Sequence, residues 1–145
     1  MNKKDPQENY VDPISQLCLY NYENYFKSLI KLHNGNRLPK IMLFSGEKGI
    51  GKTTLLFHFI NYLLSKNEKH SYSLDNFKIN HENKSFNLVY NNLHPNFYLI
   101  QNSTKKKNIE INQIRNLFNF LNKTTYLNDI KIVLIIDTEN LNKNS

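Results

Sequence analysis

The pattern of a phosphate-binding loop, or P-loop, is carried by residues 46–53 of the chain. They read Gly46-Glu47-Lys48-Gly49-Ile50-Gly51-Lys52-Thr53 and match G-x-x-x-x-G-K-[ST] at every fixed position. In such a loop the glycines let backbone amides approach phosphate oxygens, the lysine reaches the β and γ phosphates, and the hydroxyl ligates Mg²⁺. The motif therefore predicts that residues 46–53 bind ATP, with Thr53 at the metal. A glycine-rich turn with an exposed lysine is the alternative interpretation.

A second candidate for chemistry follows the most apolar run of the sequence. Asp137 comes directly after the run 130–136, downstream of the glycine loop. Nucleotide sites of this kind use an acidic residue at the end of an apolar strand to hold magnesium, directly or through water. We therefore predict that Asp137 shares the magnesium ion with Thr53 and is the catalytic carboxylate. An aspartate that merely begins a loop after a buried strand is the alternative.

Strands and helices must position these residues, and the apolar pattern predicts both in alternation. Helical spacing recurs over residues 22–30, 55–64 and 111–121. Short apolar runs predict strands at 41–44, 97–100 and 130–136. The order strand, helix, strand, helix, strand predicts an α/β fold whose parallel sheet is flanked by helices. In this fold the glycine loop joins the first strand to the helix that begins near Lys52.

The sequence predicts one domain behind a polar leader. Its 145 residues are within the usual size of a single domain. Residues 1–16 are predicted as the leader and residues 17–145 as the domain. Within it, residues 66–96 are rich in Ser, Asn, Lys, His and Glu and have no sustained apolar period. They are predicted as a polar insertion or loop.

Composition narrows the possible classes of protein. No uncharged apolar stretch approaches the roughly 18 to 20 residues of a membrane span, and the first residues lack the apolar core of a signal peptide. We therefore expect a cytoplasmic protein without a membrane partner. The net charge of +7 comes almost entirely from lysine, in a chain without alanine and rich in Asn, Ile and Tyr. This bias is typical of an A+T-rich genome, so the charge is weak evidence for DNA binding.

Metal-binding patterns other than the magnesium pair are lacking in the sequence. Cys18 is the single cysteine, which cannot form a multi-cysteine zinc site and is predicted to be a small buried residue. The histidines have no metal-ligand spacing and are predicted on the surface or on helix faces; they are His33, His58, His70, His81 and His94. The basic run 105–107 is predicted as a solvated turn, with contact to a phosphate backbone as the alternative.

Four segments, taken together, resemble one known family. Residues 37–52, 94–96, 109–115 and 137–145 resemble the delta-prime subunits of bacterial DNA polymerase III, which are clamp-loader members of the AAA+ class of P-loop NTPases. The resemblance implies an AAA+-like parallel sheet in a chain that is truncated after the Walker B strand. It also implies a role in an ATP-driven ring that loads the sliding clamp onto primed DNA, with other clamp-loader subunits as partners.

The resemblance also sets expectations for catalysis and for the sheet. Many delta-prime subunits hydrolyse no ATP, and aligning residues 141–145 with the family puts Ile136 where AAA+ ATPases have the Asp of an Asp-Glu pair. We therefore expect weak or absent hydrolysis by the isolated subunit. In the AAA+ family a further strand inserts between the phosphate-loop strand and the acidic strand, so 41–44 and 130–136 are not expected to pair with each other. Related subunits often carry a four-cysteine zinc module, which this chain lacks, so no zinc is expected.

Two other functions stay open. Another P-loop ATPase or a small kinase would use the same loop, but a kinase needs lid arginines, and neither Arg37 nor Arg115 lies in a lid-like segment. The chain could also be an inactive, truncated remnant of a clamp-loader subunit.

Overall fold

A computed structural model of the chain describes residues 12–101, 111–125 and 130–136. Its elements, in chain order, are helices α1 (Glu23–Asn34), α2 (Lys52–Leu64) and α3 (Lys84–Tyr90), strand β1 (Phe97–Ile100), helix α4 (Ile111–Asn122) and strand β2 (Ile132–Ile135). Asp137, the basic run 105–107 and most of the predicted leader lie outside the described residues. None of the helices in the described ranges has the length and apolar character that crossing a bilayer requires.

Strands β1 and β2 form a two-stranded parallel sheet. Phe97 lies opposite Ile132, and Ile100 lies opposite Ile135. Backbone hydrogen bonds of 2.9 Å continue the pairing at both ends, from Ile132 N to Asn96 O and from Ile136 N to Ile100 O. Since parallel strands need a crossover connection, the helix α4 between them in sequence fits this topology. The predicted α/β class with parallel strands at 97–100 and within 130–136 is confirmed.

Helix α2 is the centre of the core because it buries side chains on two opposite faces. Leu55, Phe59 and Leu63 pack into a first cluster with α1, whereas Phe57 and Ile60 pack into a second cluster with β1 and β2. Successive members of each set are three or four positions apart and therefore share a helix face. A fully buried side chain of this size contributes roughly 1.5 to 3 kcal/mol, so α2 is fixed from both sides.

Aromatic rings fill the first cluster around Phe26 of α1. Its ring is fully buried, stacks on Tyr72 with a centroid distance of 5.0 Å and meets Phe59 edge to face at 6.2 Å. Aromatic pairs in these orientations add to the free energy of burial. The cluster therefore joins α1, α2 and the segment around Tyr72.

Residues 66–96, predicted as a polar insertion or loop, contain regular structure that their composition does not indicate. They include α3, which begins where the Asn83 side chain accepts a hydrogen bond of 2.6 Å from Phe86 N. Leu19 N donates to Phe77 O at 3.0 Å, and Ile79 N donates to Leu17 O at 2.9 Å. Polar side chains bonded to the backbone give no apolar period, which is why the sequence pattern missed this structure.

Helix α4 is present as predicted, but its apolar stripe is half-buried only at Ile114 and Leu117, and none of its side chains is fully buried. Ile111 and Phe118 are 73% and 61% exposed, respectively. The helix is held instead by Phe120, which stacks on Tyr98 with a centroid distance of 5.5 Å, and by Lys131, whose amine donates to Phe120 O at 2.6 Å. A cation at the carbonyls of the last turn is favourable because those carbonyls lack helical partners.

The predicted strand at 41–44 is wrong for the described structure. Ile41 is 90% exposed and Leu43 is 79% exposed, and residues 41–44 form no backbone hydrogen bond with any described residue. An apolar run becomes a strand only when a neighbouring strand pairs with it. Since 41–44 is not a strand in the described structure, the expected order of 41–44 and 130–136 in the sheet stays a prediction.

An open apolar cavity lies between this segment and the sheet. It has a volume of about 2000 Å³. Its walls include Ile41 and Leu43 on one side, β2 residues Ile132 and Leu134 on the other, and Leu56 of α2. Exposed apolar residues next to a strand with few pairing partners favour association between molecules.

We predict that replacing two of these exposed residues reduces self-association. Ile41→Lys with Leu43→Lys puts charge where apolar side chains now meet water, and the high exposure means little cost in folding free energy. Light scattering over a concentration series should show less association than for the wild type. The control is Leu93→Lys, at a residue that is 70% exposed and does not line the cavity. Unchanged association in the double variant, or an equal decrease in the control, would contradict the prediction.

Candidate nucleotide-binding site

The glycine loop leads directly into helix α2. Gly51 is the residue before the helix and Lys52 is its first residue, as predicted. Gly51 has φ +95°, a left-handed conformation that glycine adopts without steric cost. A Cβ atom there would also lie 3.2 Å from Cε2 of Tyr22. Both facts explain why the motif has glycine at this position.

The first turn of α2 offers backbone donors at the loop. No side chain in the described ranges caps this end of the helix. The first amides of a helix have no acceptor within it, and the aligned peptide dipoles give this end a partial positive charge. An anion such as phosphate is therefore favoured here.

Lys52 folds back over the loop that precedes it. Its Nζ donates hydrogen bonds to Gly46 O at 2.8 Å and to Glu47 O at 2.6 Å. Among the described residues, the amine is thus held beside the loop by two carbonyl oxygens and by no acidic side chain. An incoming phosphate would replace neutral acceptors with charged ones, and hydrogen bonds between charged partners are the stronger kind.

The predicted site residues are brought together only in part. Lys48, Gly49, Lys52 and Thr53 line the same open cavity as Ile136, the residue before Asp137. Asp137 itself lies outside the described residues, so its predicted pairing with Thr53 stays a prediction. Over the described ranges, no group of three or more His, Cys, Asp or Glu side chains is placed to hold a metal ion.

One contact to the loop could not be found from the motif. Tyr22 donates a hydrogen bond from its hydroxyl to Ile50 O at 2.5 Å. Tyr22 precedes α1 and was predicted only as a member of an apolar helix stripe. No sequence signal connects it to a loop 28 residues away.

Two of the histidines predicted on the surface or on helix faces are buried, and His58, on a face of α2, is the more deeply buried of them. Its side chain is fully buried on α2, with Nδ1 at 2.9 Å from the Tyr72 hydroxyl and Nε2 at 2.9 Å from Gln16 O. The carbonyl accepts only, so Nε2 carries the proton and Nδ1 accepts from Tyr72. Burial lowers the pKa of His58 to about 4 and raises the pKa of Tyr72, because both charged forms lose hydration. The pair therefore holds the chain near Gln16 against α2.

The second buried histidine belongs to a helix cap. The Glu68 carboxylate accepts hydrogen bonds from Lys84 N at 2.9 Å, from Ser85 N at 3.0 Å and from the Ser85 hydroxyl at 2.5 Å. His94 Nδ1 accepts from Asn96 N at 3.1 Å, so its Nε2 carries the proton that faces Ser85 Oγ at 3.3 Å. Burial lowers the pKa of His94, which keeps the ring neutral. A serine that faces an imidazole N–H is not activated as a nucleophile, so this set stabilises the start of α3 and is not a catalytic triad.

Comparison with known proteins gives one family. A family model described as "DNA polymerase III, delta subunit" matches residues 22–145. The match includes the glycine loop and all six elements of the fold. No curated protein sequence matches the chain significantly.

We predict that His58 makes the folded state less stable in acid. The pKa is about 4 in the folded protein and about 6.5 when unfolded, so the unfolded chain binds more protons between these values. Stability is therefore lost as the pH falls from about 6.5 towards 4, by about 2 kcal/mol between pH 7 and pH 5. Urea unfolding at the two pH values should show a smaller loss for His58→Gln than for the wild type. The control is His81→Gln, at an exposed histidine, which should keep the wild-type loss; an equal loss in all three proteins would contradict the prediction.

Proposed function

The chain belongs to the DNA polymerase III delta subunit family, and on this basis we propose that it is a delta-prime-like clamp-loader subunit that binds ATP through residues 46–53. Membership of a DNA polymerase III subunit family implies assembly with other replication proteins. Within that assembly we propose contacts with other clamp-loader subunits and, through the assembly, with the sliding clamp and primed DNA. The energy of ATP binding would bias the arrangement of the subunits.

The observation that carries ATP binding is the position of the Lys52 amine. It lies 2.8 and 2.6 Å from two carbonyl oxygens of the loop, directly before the uncapped start of α2. In the proposed complex Lys52 leaves these carbonyls for the β and γ phosphates, and the first amides of α2 donate to the same phosphates. Thr53 would provide its hydroxyl to the magnesium ion, which supplies charge neutralisation at the phosphates when bound.

Asp137 is proposed as the second magnesium ligand and as the carboxylate that hydrolysis would require. It follows β2, whose last residues line the same cavity as the glycine loop. The cationic side chains among the described residues of the cavity are lysines and His33, and none is an arginine. Ring ATPases take an arginine for the γ phosphate from a neighbouring subunit. This supports binding without appreciable hydrolysis by the isolated protein.

A small kinase is less well supported. Arg37 and Arg115 are exposed, and neither lines the cavity next to the glycine loop. A kinase lid would have to bring arginines to the transferred phosphate. An inactive remnant would retain the fold but not the affinity for ATP, so the binding measurement distinguishes it from the proposed function.

We predict that Lys52→Ala weakens the binding of magnesium ATP by about ten- to a hundredfold. Charge-assisted hydrogen bonds of this kind contribute about 1.5 to 3 kcal/mol. Titration calorimetry should give this decrease, with an unchanged unfolding midpoint. The control is Lys48→Ala, since Lys48 is an exposed lysine of the same loop whose amine is not bonded to a described residue. Equal affinities for wild type and Lys52→Ala would disprove the proposed contact, and absence of binding by the wild type would favour the inactive remnant.

We also predict that the purified protein hydrolyses ATP slowly or not at all. The cation at the γ phosphate would come from another subunit, and the acidic strand offers Asp137 one position away from the usual aspartate of the AAA+ pair. Phosphate release measured under saturating magnesium ATP should stay near background. A robust rate that Asp137→Asn abolishes would show instead that this protein is an active ATPase.

A further inference from the structure

The tyrosine before α1 contacts two successive residues of the glycine loop. Its hydroxyl donates to Ile50 O at 2.5 Å. Its ring lies against Gly51, where a Cβ atom would approach Tyr22 Cε2 to 3.2 Å and Cδ2 to 3.9 Å. A single side chain therefore limits both the orientation of the peptide between Ile50 and Gly51 and the space around it.

We propose that Tyr22 is a positioning residue of the phosphate site, an inference that depends on the nucleotide binding proposed above. The peptide between Ile50 and Gly51 is trans and planar, so its C=O and N–H point in opposite directions. When Tyr22 holds the carbonyl, the Gly51 N–H is directed away from the hydroxyl of Tyr22. The Gly51 N–H immediately precedes the first N–H groups of α2. Its direction decides whether it donates to the same phosphate group as they do.

The core provides the fixed point from which Tyr22 acts. Phe26 N donates to Tyr22 O at 2.9 Å, and the Phe26 ring is fully buried between α1 and α2. The loop itself is exposed from Gly46 to Ile50, and its three glycines lower the cost of other conformations. A hydrogen bond from a fixed helix end to an exposed, glycine-rich loop therefore reduces the conformations that the loop samples before it binds.

Tyr22→Phe tests this role because it removes the hydroxyl and keeps the ring against Gly51. The matched control is Tyr25→Phe, at a neighbouring ring that is 66% exposed and whose centroid is 5.8 Å from that of Tyr22. Two probes are used by calorimetry on the full chain, inorganic tripolyphosphate and magnesium ATP. Amide hydrogen exchange over residues 47–53 is measured without ligand, and unfolding midpoints are measured for every variant.

The proposal predicts that Tyr22→Phe weakens both probes by the same factor, about three- to tenfold. Equal factors are expected because the hydroxyl acts on the phosphate loop and not on the nucleoside. The amides of Gly51 and Lys52 should exchange faster than in Tyr25→Phe, with the same unfolding midpoint in both variants. A purely structural role would lower the midpoint and would not confine the faster exchange to the loop.

Three results would overturn the proposal or its premise, and they are distinguishable. Wild-type affinity for both probes in Tyr22→Phe would overturn the role of Tyr22 while leaving nucleotide binding intact. An affinity loss for ATP alone would place the effect at the nucleoside and not at the phosphate loop. If the wild type binds neither probe, the proposed nucleotide site is itself wrong, whatever the exchange of the loop amides shows.

Discussion

The burial of α2 on two opposite faces is the constraint on which the rest of the structure depends. Leu55 and Phe59 point into the cluster with α1, and Phe57 and Ile60 point into the cluster with the two strands. A helix fixed from both sides cannot rotate or slide without losing one of the two clusters. Its N-terminus is therefore held in place, and the glycine loop is attached to a rigid support although the loop itself is exposed.

The polar side chains of residues 66–96 complete this arrangement where apolar burial ends. Asn61 of α2 donates to the Asn83 side chain at 3.0 Å, and the Ser85 hydroxyl, which donates to Glu68, lies 3.2 Å from Leu64 O. These contacts tie α3 to the second half of α2 through buried groups that would otherwise lose hydration without compensation. Neutral histidines serve the same purpose, since His58 and His94 both satisfy backbone or hydroxyl partners within the protein.

The features of the structure that could be predicted are those whose interactions leave a pattern in the local sequence. Helices α1 and α2 have apolar side chains at helical spacing, and the glycine motif has fixed positions, so both could be predicted from the sequence. The state of residues 41–44 could not, because pairing depends on a neighbouring strand that local sequence does not report. The burial of His58 depends on Tyr72 and on Gln16, which is 42 residues away, and the contact of Tyr22 with Ile50 is equally non-local.

Two sides of the candidate site, the glycine loop and the end of β2, are held by different parts of the structure. Phosphate binding therefore depends on other contacts than hydrolysis does. The glycine loop is fixed by α2 and, through Tyr22, by α1. The hydrogen-bond donors for phosphate are therefore held in place by α2 and the first cluster alone. Asp137 follows β2 in the sequence, and β2 pairs within the described residues only with β1 and lines the open cavity. Magnesium-assisted hydrolysis of ATP needs the glycine loop and Asp137 at a fixed separation, because a misplacement of about 1 Å reduces catalysis strongly. Contacts that fill the cavity would therefore affect turnover far more than affinity.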